Sequence, residues 1–360
     1  MEPDLSLDAP DFKRVLAQPP FISGHLPGIG GTLKAVPEHF QVDEVLPYTP
    51  CGAGEHVFVK LRRTGWNTTD VAAALGDVLG LRGPDIGWGG RKDKNAVTTQ
   101  TFSLHLPMDL PLAAVKARLQ SLPFDIKDLQ RHGNKLKTGH VAANRFRVVI
   151  SGVEAQVDSQ AAAIAAVLKS GGVPNYYGEQ RFGNRYRNLD RAAAIVRRGK
   201  ARGKKEAFMV SVLQSALFNS WLIERIDCGR FRTLLQGDVA RKTDTGGLFV
   251  VDDLDEAVQR FAAGRIVYTG PIYGHKMMGA AGAAGEYENA LLRRFGLTPA
   301  AFKPLRAPGS RRAAILYLHD LTFKRVEQGF EFNFTLPAGA YATTVLREFT
   351  RAPVQTGPDY

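Results

Sequence analysis

Only two cysteines, Cys51 and Cys228, occur in the 360 residues, and neither has a CxxC neighbour. A disulfide framework and a cysteine-built zinc site are therefore excluded. The eight histidines fall into no HxxxH or HxxE spacing, which argues against a metal hydrolase. No apolar run approaches the roughly 18 residues needed to cross a bilayer. The chain opens with the acidic Met1-Glu2-Pro3-Asp4, without the basic and apolar regions of a signal peptide. These absences predict a cytoplasmic protein that does not cross a membrane, and the sequence offers no site for a metal or a cofactor.

Acidic residues are also in short supply. Against 47 Lys and Arg stand 35 Asp and Glu, a net charge of +12. The excess points to a polyanionic partner, because each neutralised phosphate releases counterions. Charge alone leaves RNA, DNA and an acidic membrane surface open. With 44% hydrophobic residues the composition is that of a globular protein, and 360 residues are long for one core. Two domains, or one domain with a large insertion, are expected.

The chemistry is expected in Gly87-Trp88-Gly89-Gly90-Arg91-Lys92-Asp93-Lys94-Asn95-Ala96-Val97-Thr98-Thr99-Gln100, where a single carboxylate, Asp93, stands among Arg91, Lys92 and Lys94. Neighbouring cations favour the ionised form, which suits nucleophilic attack or charge stabilisation rather than proton donation. The three glycines before it permit close approach of the backbone to a ligand. On its own, the stretch also fits a solvated turn.

Upstream, Gly28-Ile29-Gly30-Gly31 reads as a turn rather than a phosphate cradle, since it opens no helix. Phe40, Val42 and Val45 are strand positions, and His56–Arg63 is a strand. Asn67 or Thr68 caps a helix whose stripe is Val71, Leu75, Val78 and Leu79 and which Gly80 stops. Thr101–Leu106 alternates with period two, and Leu110–Leu122 is a short helix. The basic loop Arg131–His140 runs into the strand Asn144–Ile150, with Phe146, Val148 and Ile150 on one face and Arg145 and Arg147 on the other. This arrangement fits an RNA track.

Glu154–Ser170 is an alanine-rich helix, stopped by Gly171-Gly172. Asn175-Tyr176-Tyr177-Gly178-Glu179-Gln180-Arg181-Phe182-Gly183 combines aromatics, amides and arginine. It can plug the core through Tyr176 and Phe182 or hold a base or phosphate through its amides and arginine. The run of cations from Arg191 to Lys205 fits either a solvated helix end or an RNA contact. Helices follow at about 206–226, 253–262 and 286–295, and Arg306–Arg312 resembles a boundary. Strands return at 314–318, 321–326 and 330–336 before a terminal helix over 341–350.

Gly90–Gln100, Asn144-Arg145-Phe146, Asn175–Gly183 and Leu336-Pro337-Ala338-Gly339-Ala340-Tyr341-Ala342-Thr343 together resemble the TruD family of pseudouridine synthases. The resemblance covers nearly the whole chain past residue 27. It implies an α+β fold, with a mixed, mainly antiparallel sheet flanked by helices and interrupted by an inserted α/β domain. Combined with composition, it gives a loosely ordered leader over 1–26, a catalytic domain over 27–183 and 310–360, and the insertion over 184–309.

The resemblance further implies isomerisation of uridine 13 of tRNA, contacted in its D-arm region, by a monomer. Asp93 would be the nucleophile, Lys34 its basic partner, Phe146 the ring that stacks on the target uracil, and Asn144 the organiser of the loop. Side chains flanking Asp93 in an extended segment point away from it, so a lysine from another strand is the better counter-ion. Arg91, Lys92, Lys94, Arg181, Arg197, Arg198 and Lys204 then become candidate RNA contacts. One departure is Asn95, where the family more often has histidine, which puts a base or phosphate contact at that position in doubt. Two rivals stand beside this reading. One is a non-catalytic RNA-binding or RNA-folding factor, and the other a phosphate-binding enzyme built on Gly28–Gly31.

Overall fold

A computed structural model describes Lys13 and residues 16–351. The chain divides into two compact units, one of residues 28–162 with 318–342, the other containing 163–317 with the flanking N- and C-terminal segments. The boundary falls inside the helix Asp158–Gly171 rather than at 183. Residues 163–183, 310–317 and 343–351, assigned to the sheet domain from sequence, thus pack with the second unit.

The first unit is built on a nine-stranded sheet. In chain order its strands are β1 (Thr32–Leu33), β2 (Phe40–Val45), β3 (His56–Thr64), β4 (Ile86–Trp88), β5 (Val97–His105), β6 (Asp125–His132) and β7 (Ala143–Ser151). β14 (Thr322–Val326) and β15 (Gly329–Pro337) complete it from the far end of the chain. The order is β14-β15-β7-β2-β5-β3-β6, with β1 on β7 and β4 on β5. All pairs are antiparallel except β2 with β5. The α+β class and the mainly antiparallel sheet expected from sequence are therefore present.

Helix α1 (Thr68–Leu79) is delimited as its sequence predicts. The Asn67 side chain accepts from the Asp70 backbone N–H, and Gly80 closes the helix at φ 69°. Its Val71, Leu75 and Leu79, with Val115 and Leu119 of α2 (Leu112–Leu119), pack on Val57, Val59, Leu61, Phe102 and Leu104 of the sheet. Alternation in β5 implies a second face that is polar and open, yet every residue from Val97 to Leu104 is buried. The basic loop after β6 covers that face: the fully buried Leu136 donates its backbone N–H to Ser103 Oγ at 2.9 Å.

The second unit carries a sheet of order β10-β9-β11-β12, formed by β9 (Val239–Lys242), β10 (Leu248–Val250), β11 (Ile266–Ile272) and β12 (Ser310–Ala313). A two-stranded ladder pairs β8 (Val173–Pro174) with β13 (Ile315–Leu316). Around them lie most of α3 (Asp158–Gly171), then α4 (Arg187–Arg197), α5 (Gly203–Asp227), α6 (Leu254–Ala262), α7 (Gly282–Arg294) and α8 (Ala342–Thr350). β12 occupies the stretch expected as a boundary.

Tyr176 and Phe182 do plug this core, at 2% and 1% exposure. α5 is long and apolar enough to span a membrane, contrary to the sequence expectation, but 72% of its most apolar window is buried in the fold. Trp221, Phe218 and Leu213 on it form the centre of the unit's core. Of the leader expected to be loosely ordered, residues 1–12, 14 and 15 lie outside the described residues. The rest is fastened: Leu16 is 2% exposed, and Ser23 donates its backbone N–H and hydroxyl to Glu348.

An ion pair links the adjacent strands β7 and β15 of the nine-stranded sheet. Arg147 on β7 donates through Nε to Glu331 on β15 at 2.8 Å. Hydrogen bonding from Arg147 holds the Glu331 carboxyl below the ordinary glutamate value of 4.5. A carboxyl lowered by folding contributes stability above its unfolded pKa and loses it as pH falls through the folded value. Glu331→Gln is therefore expected to lower Tm at pH 7, with the gap to wild type closing below pH 4.5. Thermal denaturation across that pH range checks this.

Candidate active site

Lys34 follows β1, which pairs with β7 through Thr32↔Ser151 and Leu33↔Ile150. Its backbone takes the left-handed conformation, φ 56°. In this placement Lys34 Nζ donates to Asp93 Oδ2 at 2.7 Å, joining residues 59 apart in sequence. The two side chains are 20% and 26% exposed, so the pair sits at the edge of solvent rather than sealed inside. Lys34 Nζ also stands 4.3 Å from the centre of the Phe40 ring, a cation–π contact that fixes the ammonium from a second side.

The aromatic row continues from Phe40. Across the β2, β7 and β15 ladder, Phe146 stands opposite Val42 and Phe334. Its ring meets Phe40 edge-on at 5.9 Å and stacks with Phe334 at 5.5 Å. Phe146 is 9% exposed. Asn144, two residues earlier, faces Glu44 and Leu336, and its buried Oδ1 has no hydrogen-bond partner among the described residues. The structure therefore brings Asp93, Lys34, Phe146 and Asn144 into one unit, around the β2–β7–β15 face.

The cations beside Asp93 separate. Arg91 and Lys94 are exposed. Lys92, expected from sequence as an RNA contact, points inward: its Nζ donates to Glu44 Oε2 at 2.8 Å, and the two side chains are 8% and 0% exposed. Asn95 is exposed beside them.

The remaining candidate contacts belong to the second unit. Arg181 donates through Nη2 to Ser211 Oγ at 2.8 Å and through Nε to Ser215 Oγ at 3.2 Å, with its guanidinium over the Phe208 ring. Its charge is thus engaged on α5. Arg198 donates to Glu206 Oε2 and to the Lys200 carbonyl. Arg197 and Lys204 are exposed.

Several residues of the site escaped the sequence reading. Glu44 continues the inward stripe of Phe40 and Val42 on β2, and Arg63 continues that of Val57, Val59 and Leu61 on β3. A charged residue completing an apolar stripe is the signal that could have exposed them, because a buried charge needs a partner. Arg63, 2% exposed, donates to Gln100 Oε1 at 2.9 Å and to Thr68 Oγ1 at 3.2 Å, and burial lowers its pKa to about 10. No group of three or more His, Cys, Asp or Glu able to hold a metal occurs among the described residues.

The chain matches the family model described as tRNA pseudouridine synthase D (TruD) over residues 21–209 and 204–349. It belongs to the TruD family. A tRNA pseudouridine synthase D of Anaeromyxobacter dehalogenans is 40% identical over 346 residues, covering 93% of this chain and 97% of its own. One from Thermus thermophilus is 39% identical over 331 residues, 91% of either chain. A solved structure assigned to TruD, from Methanosarcina mazei, superposes with TM-score 0.75 at 21% identity, spanning 96% of this chain and 99% of that one. At that identity the likeness establishes the fold.

Within this TruD protein the Gly28–Gly31 segment has a packing role. A Cβ on Gly31, φ 86°, would lie 2.7 Å from Ile150 Cγ2 and 2.8 Å from the Ser151 carbonyl, so the glycine lets β1 close on β7. Gly31→Ala should destabilise the protein by about 1–3 kcal/mol in urea titrations. Gly30→Ala, with φ 64° but nothing within 4 Å, should have the smaller effect.

Proposed function

We propose that this TruD-family protein isomerises uridine 13 of tRNA to pseudouridine, with Asp93 as the attacking carboxylate. The observation that carries the reading is the Lys34–Asp93 pair at 2.7 Å beside the Phe40–Phe146–Phe334 row. The reaction breaks the N-glycosidic bond, turns the uracil and rejoins it through C5. An ionised carboxylate serves each route to that end: addition to the base, attack at C1′, or assistance to loss of the C2′ proton. The Lys34 ammonium, 2.7 Å from Asp93 Oδ2, aims that carboxylate and offers a counter-charge to the uracil anion released when the glycosidic bond breaks.

The target uridine has to leave its stack in the folded tRNA, at a cost of a few kcal/mol. Stacking on Phe146 and phosphate contacts offset it. Arg91 and Lys94, exposed on either side of Asp93, and Arg197, Arg198 and Lys204 on the second unit are the phosphate contacts we assign, in the D-arm region of the tRNA. The net charge of +12 supports such a surface. The protein acts as a cytoplasmic monomer in this reading.

Asp93→Asn is nearly isosteric and should abolish pseudouridine formation while leaving tRNA binding in place. Tritium release from C5-labelled uridine in tRNA measures the first, and filter binding the second. Turnover retained by Asp93→Asn would sink the reading. A non-catalytic RNA factor predicts instead that cells carrying Asp93→Asn behave as wild type.

A further inference from the structure

We propose that the buried Glu44–Lys92 ion pair, together with Thr68 and Gln100, is a positioning device that holds the Asp93 loop in its reacting geometry. The proposal rests on Asp93 being the attacking carboxylate. It gives Lys92 a different task from the phosphate contact its sequence position suggests.

The loop from Gly90 to Lys94 has no regular structure of its own, yet it is fastened at four points. Gln100 Nε2 donates to the Gly90 carbonyl at 2.6 Å. The Lys92 backbone N–H donates to Thr68 Oγ1 at 2.9 Å. Lys92 Nζ donates to Glu44 Oε2 at 2.8 Å. The Lys94 carbonyl accepts from the Gly65 N–H at 3.2 Å. Asp93 lies between the last three ties, so its backbone is restrained on both sides while its side chain remains free to meet Lys34.

Each anchor is itself fixed. Glu44 Oε1 accepts from the Thr101 N–H at 3.3 Å, which leaves the carboxylate little freedom on β2. Gln100 and Thr68 are bonded to one another at 3.1 Å, and Arg63 donates to both. Gln100 is 0% and Thr68 2% exposed. The chain of contacts thus runs from rigid positions on β2, β3, β5 and α1 into an otherwise irregular loop.

Energetics favour a positional role over a stabilising one. Desolvation opposes burial of two charges, and a well-packed apolar pair in their place often leaves a protein as stable or more so. What an apolar pair does not reproduce is a directed bond from a loop side chain to one fixed oxygen. A nucleophile displaced by about 1 Å can lose about 100-fold in rate. Lys92 also turns its charge away from solvent, where an RNA phosphate would have to reach it, while its neighbours Arg91 and Lys94 stay outside.

The test compares single-turnover pseudouridine formation on a tRNA transcript with tRNA Kd over a range of salt. Lys92→Met should slow the single-turnover rate about 100-fold, with Kd and its salt slope as in wild type. Lys92→Arg, which can still reach Glu44, should recover most of the rate. Glu44→Gln combined with Lys92→Met should be no slower than Lys92→Met alone, since both remove the same interaction. A weaker Kd with a salt slope reduced by about one charge, at unchanged rate, makes Lys92 a phosphate contact and overturns the proposal.

If Lys92→Met shows no cooperative thermal transition, Thr68→Ala decides, because it keeps the ion pair while removing, with the Thr68 methyl, the hydroxyl that holds the Lys92 N–H and bonds to Gln100 and Arg63. A wild-type rate in Thr68→Ala also overturns the proposal. Asp93→Asn run in parallel separates the two claims. Turnover there removes the nucleophile itself, whereas an inactive Asp93→Asn beside a fully active Lys92→Met removes only the positioning role.

Discussion

A carboxylate that is to attack carbon has to stay ionised at the edge of solvent and point in one direction. For the proposed reaction the Lys34–Asp93 contact at 2.7 Å sets that direction at the edge of solvent, and much of the first unit serves to bring its two halves together. Lys34 comes from the end of β1, a strand that reaches β7 because Gly31 leaves room for Ile150 and Ser151. Asp93 comes from the loop that enters β5, between β2 and β3 in the sheet. The ring of Phe40 lies under the Lys34 ammonium and against Phe146, so the charged pair and the aromatic row share one side chain.

Buried polar groups do most of the local fixing. Around the loop these are Glu44, Lys92, Arg63, Thr68 and Gln100. In the second unit Arg225 makes two bonds to Asp238, at 2.8 and 2.6 Å, and lies 4.0 Å from the Tyr268 ring centre. Arg311 makes two to Glu288, at 2.8 and 2.7 Å. Bidentate geometry of this kind specifies direction as well as distance, which dispersion between apolar side chains does not. The apolar cores supply the driving force for folding, and the buried ions select which packed arrangement results.

The cations of a basic protein are therefore not one population. Of those considered as RNA contacts, Lys92 and Arg181 are engaged inside their own units, whereas Arg91, Lys94, Arg197, Arg198 and Lys204 are exposed, Arg198 with Glu206 as a surface partner. A composition-based argument for a polyanionic partner counts them all alike. Burial distinguishes charge available to a phosphate from charge that holds the fold.

Local order was legible in the sequence wherever one side chain sets the local backbone or one face is clearly apolar. Asn67 and Gly80 bound α1, and Phe146, Val148 and Ile150 alternate inward on β7, as their residues alone require. The four motif segments that resemble TruD, and with them the family, were also legible without coordinates. Long-range pairing decided the rest. β9 is only four residues long, too short to show a period of its own, and β12 becomes a strand because β11 lies beside it. The inward turn of Lys92 depends on Glu44, 48 residues away. Sequence spacing determines which side chains share a face. Apart from the Lys34–Asp93 pair, which the family resemblance implied, only the folded chain determines which charges meet, because that depends on register between strands distant in sequence.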